Sequence, residues 1–484
     1  MALKTTVVGH TSMTTSRVLA IFDETSGHAR LVYKDGANEA HVDAPIVPAA
    51  PYGLAAFQLK GLSGAKVTYG VGAHGPAGPP EPIAVLGANT ATFRPLASGP
   101  LRVGLVSCND IDNRSIPKER RGALWRELKR VVAEERVDLL VHAGDQIYGD
   151  GAPVGWSASE GRAAAYRRHY VNAWSHPDVA AVLSSVPNVM MWDDHEIYDG
   201  YGSNDNDPTE AAQLRYRAAE QAFREFQVAL NPPDRLSQSG FGWVGKYGEL
   251  AIVAVDGRSQ RRWSRGAILG KQQLDDLELR LNELAGLGLK HLFVVVGTPV
   301  VYLPLIAAEK LAGVFSPSSV DDIRDGWSAS NNRNECRRFL MSLLNFAGHS
   351  PKTQVTLLAG DVHVGTLSQI DTKLGFGPQR IRPRLFQITS SGIARPAPSG
   401  VEGFLMSAIT NGGTQALFNR DIEGVLRKID GLEHDYCVSH RNFAVIDPSD
   451  GHGEWDRNGN LWVHFHVERN GVTVVEQLLP RKLG

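Results

Sequence analysis

Two patterns of apolar and polar positions divide the chain. At its start, short apolar runs are broken by Gly, Asn, Asp and Pro: "TTVVGH" (5–10), "SRVLAIF" (16–22), "ARLVYKD" (29–35), "GLAAFQLKGL" (53–62), "AKVTYGVGA" (65–73) and "TATFRPL" (90–96). Runs of this length and spacing predict a small antiparallel β-sandwich. The turn-rich "FRPLASGP" (93–100) reads as a linker, which sets a first domain at 1–97 and a second at 98–484.

Past the linker the pattern changes. "LRVGLVS" (101–107) predicts a strand, and "ALWRELKRVVAEER" places Leu124, Leu128 and Val131 on one helical stripe. The apolar strands "VDLLVHAG", "VPNVMMWD", "LAIVAVD", "HLFVVVG" and "VTLLAGD" follow, with helical stretches such as "GKQQLDDLELRLNEL" between several of them. This alternation predicts an α/β sheet with helices on its faces. The later runs "LFQIT", "RNFAVID", "LWVHFHV" and "VTVVEQL" are closer to a meander and predict a second sheet. Two irregular stretches, 300–334 and 394–433, are too long for plain connections and are candidate rims or lids.

Composition narrows the class. A hydrophobic content of 42% and a charged content of 21% fit an ordinary soluble globular protein, and 484 residues suffice for two or three domains. The formal net charge of -2 gives no electrostatic reason to expect nucleic acid or an anionic membrane as partner. No run approaches the roughly 18 apolar residues of a membrane span. The three cysteines, Cys108, Cys336 and Cys437, are far apart and odd in number, and the N-terminus lacks the apolar core of a signal peptide. The expected setting is therefore reducing and cytoplasmic, or periplasmic or secreted if an export signal has been removed.

The chemistry collects at strand ends. "GLVSCND" ends on Cys108, "VHAGDQIY" on Asp145 and Tyr148, and "VMMWDDHE" on Asp193, Asp194, His195 and Glu196. "VAVDGR" ends on Asp256 and Arg258, and "LLAGDVH" on Asp361 and His363. In α/β sheets such ends share one rim, where ligands bind. Crowded carboxylates are costly unless cations neutralise them, so a two-metal site is the simplest resolution.

The ordered set "SC", "GDQIY", "DDHE" and "GDVH" resembles the alkaline phosphatase D family of the metallophosphoesterase superfamily. "VDGRSQRRWSRGAILGKQQLDDLE" and "DGWSASNNRNECRRFL" are similar to that family's later motifs, and "LKGLSGAKVTYGVG" to its fibronectin-like first domain. The resemblance implies a four-layer α/β/β/α sandwich preceded by a small fibronectin-like β-sandwich. It implies a hydrolase of phosphate monoesters or diesters, acting through a metal-bound hydroxide on a small phosphorylated substrate. Asp145 would bridge two ions, and Cys108 and Tyr148 would ligate a ferric-like one. Asp194 would bind the second ion, and Asp361 and His363 stand where the superfamily has Gly-His-x-His. His195 would meet the leaving oxygen, and Arg258 would clamp phosphate. The implied ions are Fe3+ with Ca2+, or Mn2+ or Zn2+.

Two departures from the wider superfamily stand out. Ser-Cys replaces its first Asp-x-His, a change shared with alkaline phosphatase D, and "VVVGTPV" has Gly297 and Thr298 where many members carry a ligating histidine. Plainer readings stand beside the functional ones. Cys108 is alternatively a small buried hydrophobe, Tyr148 a packing aromatic, and Arg258 half of a structural ion pair. Asp193 competes with Asp194 and otherwise caps the turn. His142 reads as a core or outer-shell histidine; His291, His434 and His440 carry no assigned role. The competing functions are a non-catalytic anion-binding module and a hydrolase of another ester or anhydride.

Overall fold

The computed structural model describes residues 2–74, 90–134, 137–151, 159–203, 209–302, 324–397, 415–429, 436–468, 475–477 and 481–483. The first eight strands pair only with one another. One sheet runs β1 (Leu3–Thr11), β2 (Thr15–Phe22), β6 (Tyr52–Lys60), β5 (Val47–Ala49). The other runs β4 (Asn38–Pro45), β3 (His28–Asp35), β7 (Val67–His74), β8 (Ala91–Phe93). Val18, Ala20, Phe22 and Phe57 of the first share one apolar cluster with Leu31, Val67, Tyr69 and Val71 of the second. No apolar run marks β4, a sheet edge whose alternate side chains lie in water.

Two larger sheets hold the rest. The seven-stranded one runs β11 (Asn188–Met191), β10 (Leu139–Ala143), β9 (Val103–Val106), β20 (Asn442–Asp447), β21 (Leu461–Glu468), β22 (Val475–Gln477), with β23 (Arg481–Leu483) also on β21. The eight-stranded one runs β12 (Trp243–Tyr247), β13 (Leu250–Ala254), β14 (His291–Val295), β15 (Gln354–Ala359), β17 (Leu385–Thr389), β16 (Thr366–Thr372), β19 (Ile422–Arg427), β18 (Gln415–Leu417). Parallel pairing joins β9, β10 and β11 in one sheet, and β13, β14, β15 and β17 in the other.

Alternation along β13 explains its unbroken apolar run. Leu250, Ile252 and Ala254 enter the cluster that holds Leu105, Val141 and Val445 of the seven-stranded sheet. Ala251, Val253 and Val255 enter another, with Leu277 and Leu281 of α5 (Gly270–Ala285) and Leu340 and Leu343 of α6 (Arg333–His349). Both faces of the strand are buried. On the seven-stranded side the main cluster takes Leu124, Trp125, Leu128 and Val131 of α1 (Ala123–Glu134). It also takes Tyr170 and Trp174 of α2 (Ser159–Trp174), Val179 of α3 (Pro177–Leu183) and Phe223 of α4 (Glu210–Phe223).

The late strands do not form a sheet of their own. "LFQIT" is β17, inserted beside β15, whereas "RNFAVID" is β20, added antiparallel to β9, and "LWVHFHV" is β21, antiparallel to β20. Pairing across more than three hundred residues leaves no local pattern to read. Of the irregular stretches, 303–323, 398–414 and 430–435 lie outside the described residues. No helix among the described residues is long and apolar enough to cross a membrane.

His291, at the start of β14, is 0% exposed and stacked on Trp455, and neither ring nitrogen has a hydrogen-bond partner. Burial, helped by the charge of Lys290, pushes it down to about 4 from 6.5. The unfolded chain therefore takes up a proton that the folded chain refuses. Stability present above pH 6.5 is lost as the pH falls towards 4. Replacing His291 with Leu should remove roughly 2 kcal/mol of that acid loss, read from urea unfolding near pH 7 and about pH 4.5. An unchanged pH dependence would show that the ring protonates in place without cost.

Candidate metal centre

The predicted residues sit two to five positions past strand ends, four of them in a backbone conformation that side chains usually avoid. Cys108 (φ 56°), Asp145 (56°), Asp361 (68°) and His363 (56°) are left-handed. Arg380 is the one other non-glycine of this kind among the described residues. Such residues cost on the order of 1–3 kcal/mol each and persist where the surroundings over-determine them. Here the two large sheets meet. Gly360, after β15, approaches the ends of β9 and β10 so closely that a Cβ would lie 2.3 Å from the Ala143 carbonyl and 2.5 Å from Ser107 Oγ.

Glu196 ties the loops together. Its Oε2 accepts the amides of Asp145 (2.9 Å) and Asp193 (2.8 Å), and its Oε1 accepts the Gln146 amide (2.7 Å) and Gln227 Nε2 (2.9 Å). One buried carboxylate thus locks the ends of β10 and β11. The sequence showed Glu196 in "DDHE" but gave it no role.

The side chains gather in two lobes. In the first, Cys108 donates to Asp145 Oδ2 (3.2 Å), and its sulfur lies 3.0 Å from Ser391 Oγ. Ser391 also accepts the His363 amide (2.8 Å), and Tyr148 Oη stands 3.4 Å from His363 Nε2. In the second, Asp193, Asp194 and Asp361 bring ligand atoms within 4.8 Å of one another. Asp145, Asp194 and His195 do the same, which puts Asp145 between the lobes. Asp193 therefore stands beside Asp194 in the cluster.

The electrostatics are strained. Burial, then the charges of Asp194, Asp193, Glu196 and Asp361, push the Asp145 carboxyl well above its usual range. Burial and Asp193, Asp194 and Asp325 do the same to Asp361. Burial, followed by Asp145, raises the Cys108 thiol; burial, Cys108 and Asp145 raise the Tyr148 phenol. Burial, with the charges of Arg395 and His195, pushes His363 down, leaving a neutral imidazole. Among the described residues Asp145 Oδ1, Asp193 Oδ2 and Asp194 Oδ1 are buried with no hydrogen-bond partner, although Arg258 Nη2 lies 3.5 Å from Asp194 Oδ1. Buried, unpartnered carboxylate oxygens beside a thiol and a neutral imidazole fit cations.

Arg258 and His195 differ in what they can reach. Arg258 is 0% exposed: Nε bonds Asp193, Nη1 and Nη2 bond Asp325, and Nη2 also meets Thr298 Oγ1 at 3.3 Å. A guanidinium committed in this way holds carboxylates in place and has no open face for a phosphate clamp. Gly297 belongs to the same packing, since a Cβ there would lie 2.5 Å from Asp193 Cγ. His195 donates from Nδ1 to Asp150 Oδ2 (2.8 Å), and its ring lies 4.1 Å from that of Tyr148. Burial opposes its charge, but Asp194 and Asp150 outweigh it and hold the ring well above its usual range.

The sequence model of PhoD-like phosphatases matches residues 103–419, well over half of the chain. The chain belongs to the PhoD-like phosphatase family. It is 26% identical over 325 residues to alkaline phosphatase D of Bacillus subtilis, covering 61% of this chain and 50% of that protein. It is 22% identical over 358 residues to an uncharacterized protein of Saccharomyces cerevisiae, covering 55% and 50%. The chain thus spans about half the length of the curated relatives it matches. The solved structure of PhoD superposes with a TM-score of 0.64 at 12% identity, over 99% of this chain and 92% of that one, which shows a shared fold. In this PhoD-like centre, sequence reasoning missed Asp150, Ser391 and Arg395, which lie outside the quoted motifs.

Replacing Glu196 with Gln puts an amide donor against backbone N–H donors. It should destabilise the fold by about 2–3 kcal/mol in urea unfolding, the cost of losing charge-assisted bonds at a buried site. A variant as stable as the parent would mean that the two loops hold themselves.

Proposed function

We propose that the chain hydrolyses phosphate esters, monoesters or diesters, at a centre of two or more metal ions. The observation that carries the reading is Asp145: a fully buried carboxylate between two lobes of ligands, with one oxygen unpartnered. Cys108, Tyr148 and His363 would hold one ion with Asp145. Asp194 and Asp361 would hold the other with Asp145, and Asp193 beside them. Fe3+ with Ca2+ is the proposed pair, with Mn2+ or Zn2+ as alternatives. A raised thiol and a raised phenol become ligands only to a strongly charged cation, and the carboxylates suit hard ions. When bound, such ions would stabilise charge developing around phosphorus and lower the pKa of a water.

The chain's own part falls to His195. Held by Asp150 through Nδ1, the imidazolium would give its Nε2 proton to the leaving oxygen. Arg258 serves as a positioning residue that keeps Asp193 oriented beside Asp194. The alternation of β13 between two apolar clusters supports a four-layer α/β/β/α catalytic domain at 98–484. The two sheets of 1–97 support a small fibronectin-like sandwich before it. A small phosphorylated substrate, no nucleic acid and no membrane partner accord with the net charge of -2, and the three free thiols accord with a cytoplasmic setting.

Turnover of p-nitrophenyl phosphate and bis-p-nitrophenyl phosphate by the metal-loaded chain tests the reading. His195→Ala should keep its metals and lose roughly 10²- to 10⁴-fold in kcat. Asp145→Asn should lose both turnover and bound metal; two ions per chain with near-normal turnover would sink the shared bridge. The iron-loaded, oxidised protein should be coloured, and Tyr148→Phe and Cys108→Ser should each shift the band. An iron-replete, colourless protein would rule out thiolate and phenolate ligation.

A further inference from the structure

With Arg258 wholly engaged inside, the rim carries a second arginine whose donors are mostly uncommitted among the described residues. Arg395 lies in the turn that follows β17. The turn is fastened to the end of β9: the Ile393 amide donates to the Ser107 carbonyl (3.1 Å) and the Ala394 amide to the Cys108 carbonyl (3.3 Å). The guanidinium therefore stands beside the first lobe of the centre. It lies over the Tyr148 ring, 5.0 Å from its centroid, and Nη1 donates to Asp110 Oδ2 at 2.6 Å. Its side chain is 35% exposed. Among the described residues Asp110 is its one hydrogen-bond partner, so Nε and Nη2 remain available.

The two anchors fix the plane of the guanidinium before any ligand arrives, so little rotamer freedom is lost when an anion binds. We propose that Arg395 contacts the terminal oxygens of the substrate phosphate and biases the site towards phosphomonoester dianions over diester monoanions. The inference rests on the phosphoesterase reading above. A dianion meets a rim cation with twice the charge of a monoanion, and a monoester offers terminal oxygens that a diester has esterified.

The test uses the full, metal-loaded chain and its Arg395→Ala and Arg395→Lys variants. Arg395→Ala should keep its metals and raise KM for p-nitrophenyl phosphate about 10- to 100-fold, the range for a lost charge-assisted hydrogen bond. The KM for bis-p-nitrophenyl phosphate should rise much less, and Arg395→Lys should recover part of the monoester loss. Calorimetric affinity for inorganic phosphate should fall in step, a readout that needs no turnover. Unchanged phosphate affinity, equal losses on both esters, or loss of metal from Arg395→Ala would each overturn the assignment. If the parent chain turns over neither ester, the phosphoesterase reading fails, and phosphate calorimetry still decides whether Arg395 binds the anion.

Discussion

Mutual repulsion among buried carboxylates is the constraint around which the centre is organised. Asp145, Asp193, Asp194 and Asp361 crowd the ends of three strands, and two unit charges 4 Å apart repel by about 4 kcal/mol at an effective dielectric of 20. Arg258 answers part of this charge through Asp193 and Asp325, with Arg261 behind it on Asp325. Even so, Asp145, Asp193 and Asp194 each keep one buried oxygen without a hydrogen bond among the described residues. An interior built for stability alone would have replaced such a cluster with apolar side chains.

The backbone bears the same mark. Four left-handed non-glycine residues stand at Cys108, Asp145, Asp361 and His363, each of which also offers a ligand atom. Glycine at any of these positions would relax the chain and delete the donor. The strain is contained by the parallel strands, the Glu196 hydrogen bonds and the contact at Gly360.

Much of this was legible in the chain, for a physical reason. Strands buried on both faces read as unbroken apolar runs, and a charged residue directly after such a run has few structural excuses. That logic picked out Cys108, Asp145, Asp194, Asp361 and His363, whose side chains the structure gathers in the two lobes. It could not tell that Arg258 faces inward, because strand-end position does not specify which partners a long side chain finds. Nor could it find Asp150, whose carboxylate acts on His195 from a neighbouring loop. Arg395 was equally hidden: the sequence reading placed it in an irregular stretch, and only backbone bonds to Ser107 and Cys108 bring it to the centre. The strands β20 and β21 were visible as apolar runs, but not their sheet, since β20 pairs with β9 more than three hundred residues upstream and β21 joins through β20.

The pairing of Gly297 with Asp193 carries a consequence for descent. The carboxyl of Asp193 occupies the space into which any side chain at 297 would project. The two positions therefore act as one heritable choice: a glycine opposite an aspartate, or a bulky residue opposite something small. A chain with a histidine at 297 would have to shift or give up Asp193, and with it one of the two carboxylates that hold Arg258.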